Sequence, residues 1–192
     1  MSLNRRWRRT SALLLVFFWP VFFFNSVQAQ GYSQDQIKAT TLINIVGFIQ
    51  WPLGAILPAP SPVTFCLLGR GGVSDELERS APRQEFAGHK IAIRQMKGHQ
   101  DLNGCHLVFV SAAAEKLQQR LIESARGLPV VLVAEIAGFA DKGGTINMGF
   151  QNGRITFVIN AESAEEARLK INPKLLAAAY IVRSESQKRG QE

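Results

Sequence analysis

The stretch Val63–Gly72, VTFCLLGRGG, decides how the rest of the chain is read. Val63, Thr64, Phe65, Leu67 and Leu68 make an apolar, β-branched and aromatic run without alternation, and it runs straight into a glycine-rich turn. That is the pattern of a strand covered on both faces. His106–Val110 (HLVFV) and Pro129–Ala134 (PVVLVA) have the same character, and helical patterns separate one run from the next. The alternation predicts an α/β three-layer sandwich, with a largely parallel central sheet between helical layers. Cys66 lies inside the first run, and the only other cysteine, Cys105, stands at the head of the second.

Working outward, Ser33-x-x-Gln36 fits a capping box and opens a helix. Its apolar face carries Ile37, Thr41, Ile45 and Phe48, with Leu42, Val46 and Ile49 beside them. Pro52 disfavours helical geometry in the residue before it, so the helix is expected to stop near Trp51. Leu53–Pro62 is a proline-rich crossing into the first strand. Beyond Gly72, Ser74-Asp75-Glu76 supplies a cap and negative charge for a short helix to about Ala81. Lys90–Arg94 (KIAIR) alternates, as a strand with one exposed face does, and Ser111 is placed to cap a helix running to Arg126. After the turn-rich AGFADKGG of Ala137–Gly144, Thr145–Gln151 and Arg154–Asn160 flank Asn152-Gly153, which calls for a type I′ antiparallel hairpin. Helical stretches are expected over Ala161–Leu169 and Asn172–Val182, the second with Asn172 as cap and Pro173 at its first position. The reading is one α/β domain over residues 30–183, followed by a polar tail over 184–192.

The first 29 residues read differently. Arg5, Arg6, Arg8 and Arg9 form a basic region, Ser11–Phe24 is an apolar core, and Val27-Gln28-Ala29 offers small residues where cleavage would occur. This is the layout of a cleaved Sec-type signal peptide, too short in its apolar part for a membrane span of about 20 residues. Export to the periplasm follows. The whole chain carries 22 Lys+Arg against 15 Asp+Glu; without those four arginines the balance is 18 against 15, or +3. The basicity is therefore mostly targeting signal, and nucleic-acid binding is excluded as a reading. In an oxidising compartment an even cysteine count points to a Cys66–Cys105 disulfide, two buried free thiols being the alternative.

No catalytic constellation stands out. Gly69-Arg70-Gly71-Gly72 follows a strand, yet its spacing is not that of a dinucleotide fingerprint, and no Walker lysine is present. His89, His99 and His106 have no metal-ligand spacing, and no elbow motif surrounds Ser111. His106 beside Cys105 suggests thiol chemistry, but Cys66 is a ready partner for that sulfur. Glu162, Glu165 and Glu166 cluster where a helix begins, and there carboxylates complement the dipole. No cofactor or metal is implied. What remains is aromatic and polar surface near element ends: Trp51, Phe139, Phe150, Arg154 and Asn160 are the candidate partner-binding residues, with core packing the competing role for Trp51 and Phe139.

Taken together, the residues resemble the YfiR-like family of periplasmic proteins. The resemblance is carried in order by Gly47-Phe48-Ile49-Gln50-Trp51-Pro52, Phe65-Cys66-Leu67-Leu68-Gly69, Leu102-Asn103-Gly104-Cys105-His106 and Pro129-Val130. It continues through Gly138-Phe139-Ala140, Gly143-Gly144-Thr145-Ile146-Asn147, Gly153–Asn160, Leu169-Lys170-Ile171 and Leu175-Leu176. It implies an α/β sandwich with a tendency to dimerise, supports the Cys66–Cys105 bridge, and implies a non-enzymatic regulator. Members of the best-understood type bind the periplasmic portion of an inner-membrane diguanylate cyclase and hold it inactive, and an OmpA-like outer-membrane lipoprotein can sequester the regulator. Relief of repression raises cyclic di-GMP and promotes biofilm and exopolysaccharide output. Some relatives carry a second cysteine pair around the hairpin; Ala137–Asn160 has none, so redox sensing by that pair does not carry over. Val158 also stands where many relatives place an acidic residue. Two other functions fit less of the sequence: a periplasmic small-ligand sensor signalling to another receptor such as a histidine kinase, and a hydrolase using Ser111 or His106.

Overall fold

The strand read from VTFCLL is Val63–Leu68 (β2), and it lies at the centre of the protein. The computed structural model describes residues 31–184; the expected leader and residues 185–192 of the polar tail lie outside the described residues. β2 pairs in parallel with His89–Gln95 (β4) on one side and Leu107–Val110 (β5) on the other. Val131–Ala134 (β6) and Ile146–Gln151 (β7) continue the parallel series. Numbered among themselves, these five strands run 2-1-3-4-5, the doubly wound order in which the crossover reverses between β2 and β5. Arg154–Asn160 (β8) folds back antiparallel on β7, completing the expected hairpin. Asn152 and Gly153 have φ of +51° and +76°, as a type I′ turn requires.

Alternate side chains of the buried strands feed two cores. Val63, Phe65, Leu67, Leu107, Phe109, Val131 and Val133 face one side. There they pack under Gln34–Ile45 (α1), Gly72–Ser80 (α2), Ala161–Glu166 (α4) and Pro173–Ala177 (α5). Cys66, Leu68, Val108, Val110 and Leu132 face the other, under Gln118–Ala125 (α3) and Phe139. The sandwich is therefore three-layered as expected, with full burial on both faces at its centre.

Several element boundaries differ from expectation, each for a local reason. α1 keeps its Ser33–Gln36 capping box but stops at Ile45, well before Trp51. A short 3-10 turn follows, then Ile49–Gln50 (β1) pairs antiparallel with Lys170–Ile171 (β9). The backbone N–H of Asn172 locks this by donating to the Phe48 carbonyl at 2.8 Å. The last expected helix, Asn172–Val182, covers only α5; Tyr180–Val182 (β10) instead joins β8 in parallel at the sheet edge. A β-branched and aromatic tripeptide beside an open strand gains ladder bonds that three more helical residues would not supply. Arg168, with φ of +58°, ends α4 early: Leu169 N–H reaches back to the Ala164 carbonyl at 2.8 Å, the Schellman arrangement.

Two expected caps do not form. α2 starts at Gly72, and the Ser74 hydroxyl donates back to the Gly69 carbonyl. Ser111 makes no side-chain cap, and its segment begins as a 3-10 turn over Ala112–Leu117. A Cβ placed on Gly69 would sit 2.3 Å from the Ser111 Oγ, and Gly69 has φ of +86°, so only glycine suits that turn. Glu85–Phe86 (β3), which the sequence reading passed over, pairs with β4 through a tight turn at Ala87-Gly88.

Candidate partner-binding surface

At the centre of the sheet, Cys66 and Cys105 are joined in a disulfide, with Cα atoms 5.8 Å apart across a sequence separation of 39. Both are buried. Arg94 at the end of β4 covers the bridge. Its Nη2 lies 2.9 Å from Cys105 Sγ and donates to the Asn103 carbonyl at 2.7 Å, while Nη1 pairs with the Asp101 carboxylate at 3.1 Å. One guanidinium thus ties the loop that delivers Cys105 to the neighbouring strand. KIAIR showed an alternating strand, but nothing in its spacing announced this role for the arginine.

The two ends of the sheet are held by charges and rings that the sequence left unassigned. Lys38, on the buried face of α1, pairs with Glu135 just beyond β6 at 2.9 Å, which ties the helix to the end where the parallel strands finish. At the opposite end, His106 stands directly ahead of β5. Its Nδ1 accepts from the Thr64 N–H at 2.9 Å, so Nε2 carries the proton and donates to the Ala55 carbonyl at 3.1 Å. Burial pushes this imidazole below its ordinary value, with His89 adding in the same direction and the bond to Ala55 opposing. His89 Nδ1 meets the Ser61 carbonyl at 2.8 Å. Two histidines therefore pin the proline-rich crossing near both of its ends, which explains how a segment with little buried surface keeps one course.

The five candidate contact residues do not form one patch. Phe139 and Asn160 have no exposed surface. Phe139 fills the core beneath α3, pressed so close to Gly144 that a Cβ there would lie 2.1 Å from its ring. Asn160 caps α4 by accepting from the Ser163 N–H at 3.0 Å, and its amide donates to the Ala140 carbonyl and the Ser184 hydroxyl, both at 2.8 Å. Neither side chain can touch a partner in this conformation; both brace the residues around them. Phe150 is half-buried beside Ile155, and Arg154 is exposed at the hairpin turn, where β7 ends. Trp51 is half-buried against the first core with its indole N–H buried and unpartnered, at the end where the parallel strands begin.

Around Trp51 the proline-rich crossing exposes apolar side chains. Leu53 is 106% exposed and Leu57 62%. Leucines in an irregular proline-rich loop have no periodicity to betray which way they face. Tyr180 and Ile181 on edge strand β10 are exposed as well. Among the described residues no cluster of three or more metal-ligating side chains exists, and no helix is long and apolar enough to cross a membrane.

The chain is a doubly wound α/β sandwich with a stapled centre and exposed apolar side chains at its strand ends. The chain belongs to the YfiR/HmsC-like family, whose model matches residues 35–180. That family is known for periplasmic regulation of cyclic di-GMP signalling. A solved structure of a conserved domain protein from Vibrio cholerae O1 biovar El Tor is similar in fold, with a TM-score of 0.53 at 12% identity. The match covers 78% of this chain and 60% of that one.

Proposed function

We propose that this protein is a periplasmic repressor that binds the periplasmic domain of an inner-membrane diguanylate cyclase and lowers cyclic di-GMP, and with it biofilm and exopolysaccharide output. The observation that carries this reading is the family match over residues 35–180, which takes in nearly every described element. Repression by binding requires higher affinity for the inactive cyclase than for the active one; equal affinity would shift nothing, however tight. An export signal over residues 1–29 delivers the regulator to the right side of the membrane, the domain over 30–183 does the binding, and an OmpA-like lipoprotein relieves repression by sequestering it. A homodimer is part of the same reading.

The contact surface is assigned to Trp51 with its neighbours Leu53 and Leu57, and to Phe150 and Arg154 at the hairpin; Phe139 and Asn160, both buried, are left out of it. Large exposed apolar side chains rimmed by polar residues mark interaction sites, and aromatic and arginine side chains dominate such interfaces. The test is cellular cyclic di-GMP in a deletion strain. A rise over wild type, reversed by a copy carrying residues 1–29 and not by one lacking them, is the expected result. An unchanged level in a strain shown to express the cyclase would sink the repressor reading.

A further inference from the structure

We propose that the groove across the sheet end where β6 and β7 begin binds a small organic acid with an apolar body. The groove is open to solvent and offers about 660 Å³ between α3 and α4, a volume within the range of small-molecule sites. Its exposed lining is more polar than apolar; Ile122 and Ala125 on α3, Leu132 on β6 and Ala167 after α4, all nearly buried, supply a small apolar base. Small residues keep it open: Gly127 has no atom within 4 Å of the place its Cβ would occupy, while a Cβ on Gly143 would meet Ile122 at 3.2 Å.

The hydroxyls in the wall are already engaged. Thr145 Oγ1 accepts from the Leu132 N–H at 3.2 Å, Ser163 Oγ donates to the Gly143 carbonyl at 2.9 Å, and Ser184 Oγ accepts from Asn160. What the rim still offers is charge. Arg126 and Lys142 line the groove and join no ion pair among the described residues, and Arg168 reaches the groove's Gly127 carbonyl at 3.4 Å. Glu166 is the one acid in the lining. Cations in excess select a ligand with one anionic head, and the small apolar base beneath them takes a compact hydrocarbon or aromatic body. Neither Trp51, Leu53 nor the hairpin turn lines this groove, and the inference does not rest on the repressor reading.

The test uses the fluorescent probe anilinonaphthalene sulfonate, with phenylpropionate as competitor and phenylpropionamide as its uncharged control. The expected result is saturable one-to-one binding, displaced by the acid and not by the amide. Arg126→Glu/Lys142→Glu should weaken it about tenfold or more, a loss of at least 1.4 kcal/mol. Lys90→Glu/Lys174→Glu makes the same change in net charge at exposed positions outside the groove and should bind as wild type does. Ala125→Leu, which fills the floor without altering charge, should also abolish binding while thermal melting confirms a folded chain. Equal affinity in the two charge-reversed variants, or displacement by the amide as readily as by the acid, overturns the proposal.

Discussion

Strands β5 and β8 stand three places apart in one sheet and live under different conditions. Every residue of Leu107–Val110 is buried, whereas Arg154–Val158 runs from exposed to half-buried and only Ile159 and Asn160 are fully covered. β5 is flanked by parallel strands, has helices over both faces, and is stapled to β2 through Cys105. β8 is the return arm of a hairpin with only the three-residue β10 beyond it. Folding free energy accumulates where both faces are dry; surface that another protein could read is available only where they are not. The protein keeps these two demands in different parts of one sheet.

Removing the staple should produce the largest effect. In the loop-entropy view a bridge across 39 residues stabilises by about 4 kcal/mol, so Cys66→Ser/Cys105→Ser should lower the melting temperature by roughly 10 °C. Calorimetry of the oxidised proteins checks this, and coincident melting of variant and wild type would mean that the centre owes its rigidity to packing alone.

The next variant tests whether the hairpin end is uniformly soft. Asn160 closes β8 and begins α4, and its amide is wholly buried in three hydrogen bonds. Asn160→Ala removes a cap and strands buried partners, at a cost of about 1–3 kcal/mol in chemical denaturation. A loss of that size would put the boundary between rigid and permissive surface within β8, between Val158 and Ile159. Asn160→Asp keeps the cap but loses the donors, and should fall between alanine and wild type.

That boundary also divides what the sequence could tell from what it could not. Strands buried on both faces announce themselves as uninterrupted apolar runs, so VTFCLL, HLVFV and PVVLVA were legible, as were the Asn152-Gly153 turn and the Ser33–Gln36 box. Where tertiary context decides, local pattern misleads. Tyr180–Val182 looked like the end of a helix because its partner, β8, is remote in sequence. Ile49–Gln50 looks helical because its partner, β9, is remote in sequence, Ile49 pairing with Ile171, 122 residues further on. For the contact residues the failure is of another kind. Aromatic character and position at an element end single out Trp51, which is half-buried, and equally Phe139, whose ring closes a core. No local pattern separates a ring facing a partner from one facing its own sheet.

His106 supplies a milder test at the sheet end that carries the proline-rich crossing. Its folded value is depressed below the ordinary 6.5, so the unfolded chain takes up a proton more readily. The stabilising contribution is complete above that ordinary value and declines as pH falls through the window below it. A melting temperature falling from neutral to mildly acidic pH is expected, with His106→Asn flattening part of the slope. Each 1 kcal/mol corresponds to about 2–4 °C for a chain of this size. Hydrogen exchange should place the earliest acid-induced loosening at Thr64, whose N–H loses its acceptor when Nδ1 is protonated.

The smallest effect on stability should come from the residues given the largest role in recognition. Leu53 is fully exposed and Arg154 lies at an exposed turn, so Leu53→Asp and Arg154→Glu should each leave stability within about 0.5 kcal/mol of wild type. Their effects on cyclic di-GMP should separate. Trp51, Leu53 and Leu57 offer apolar surface that gains from desolvation, whereas a charge on a solvated rim affects encounter more than the lifetime of a complex. Leu53→Asp should therefore raise cyclic di-GMP toward the deletion level, and Arg154→Glu should raise it less. The opposite ranking would move the interface to the hairpin end. Because these residues stand at opposite ends of the parallel strands, a full rise from both variants would require a partner that spans the sheet, or a second copy of the chain that brings the two ends into one surface.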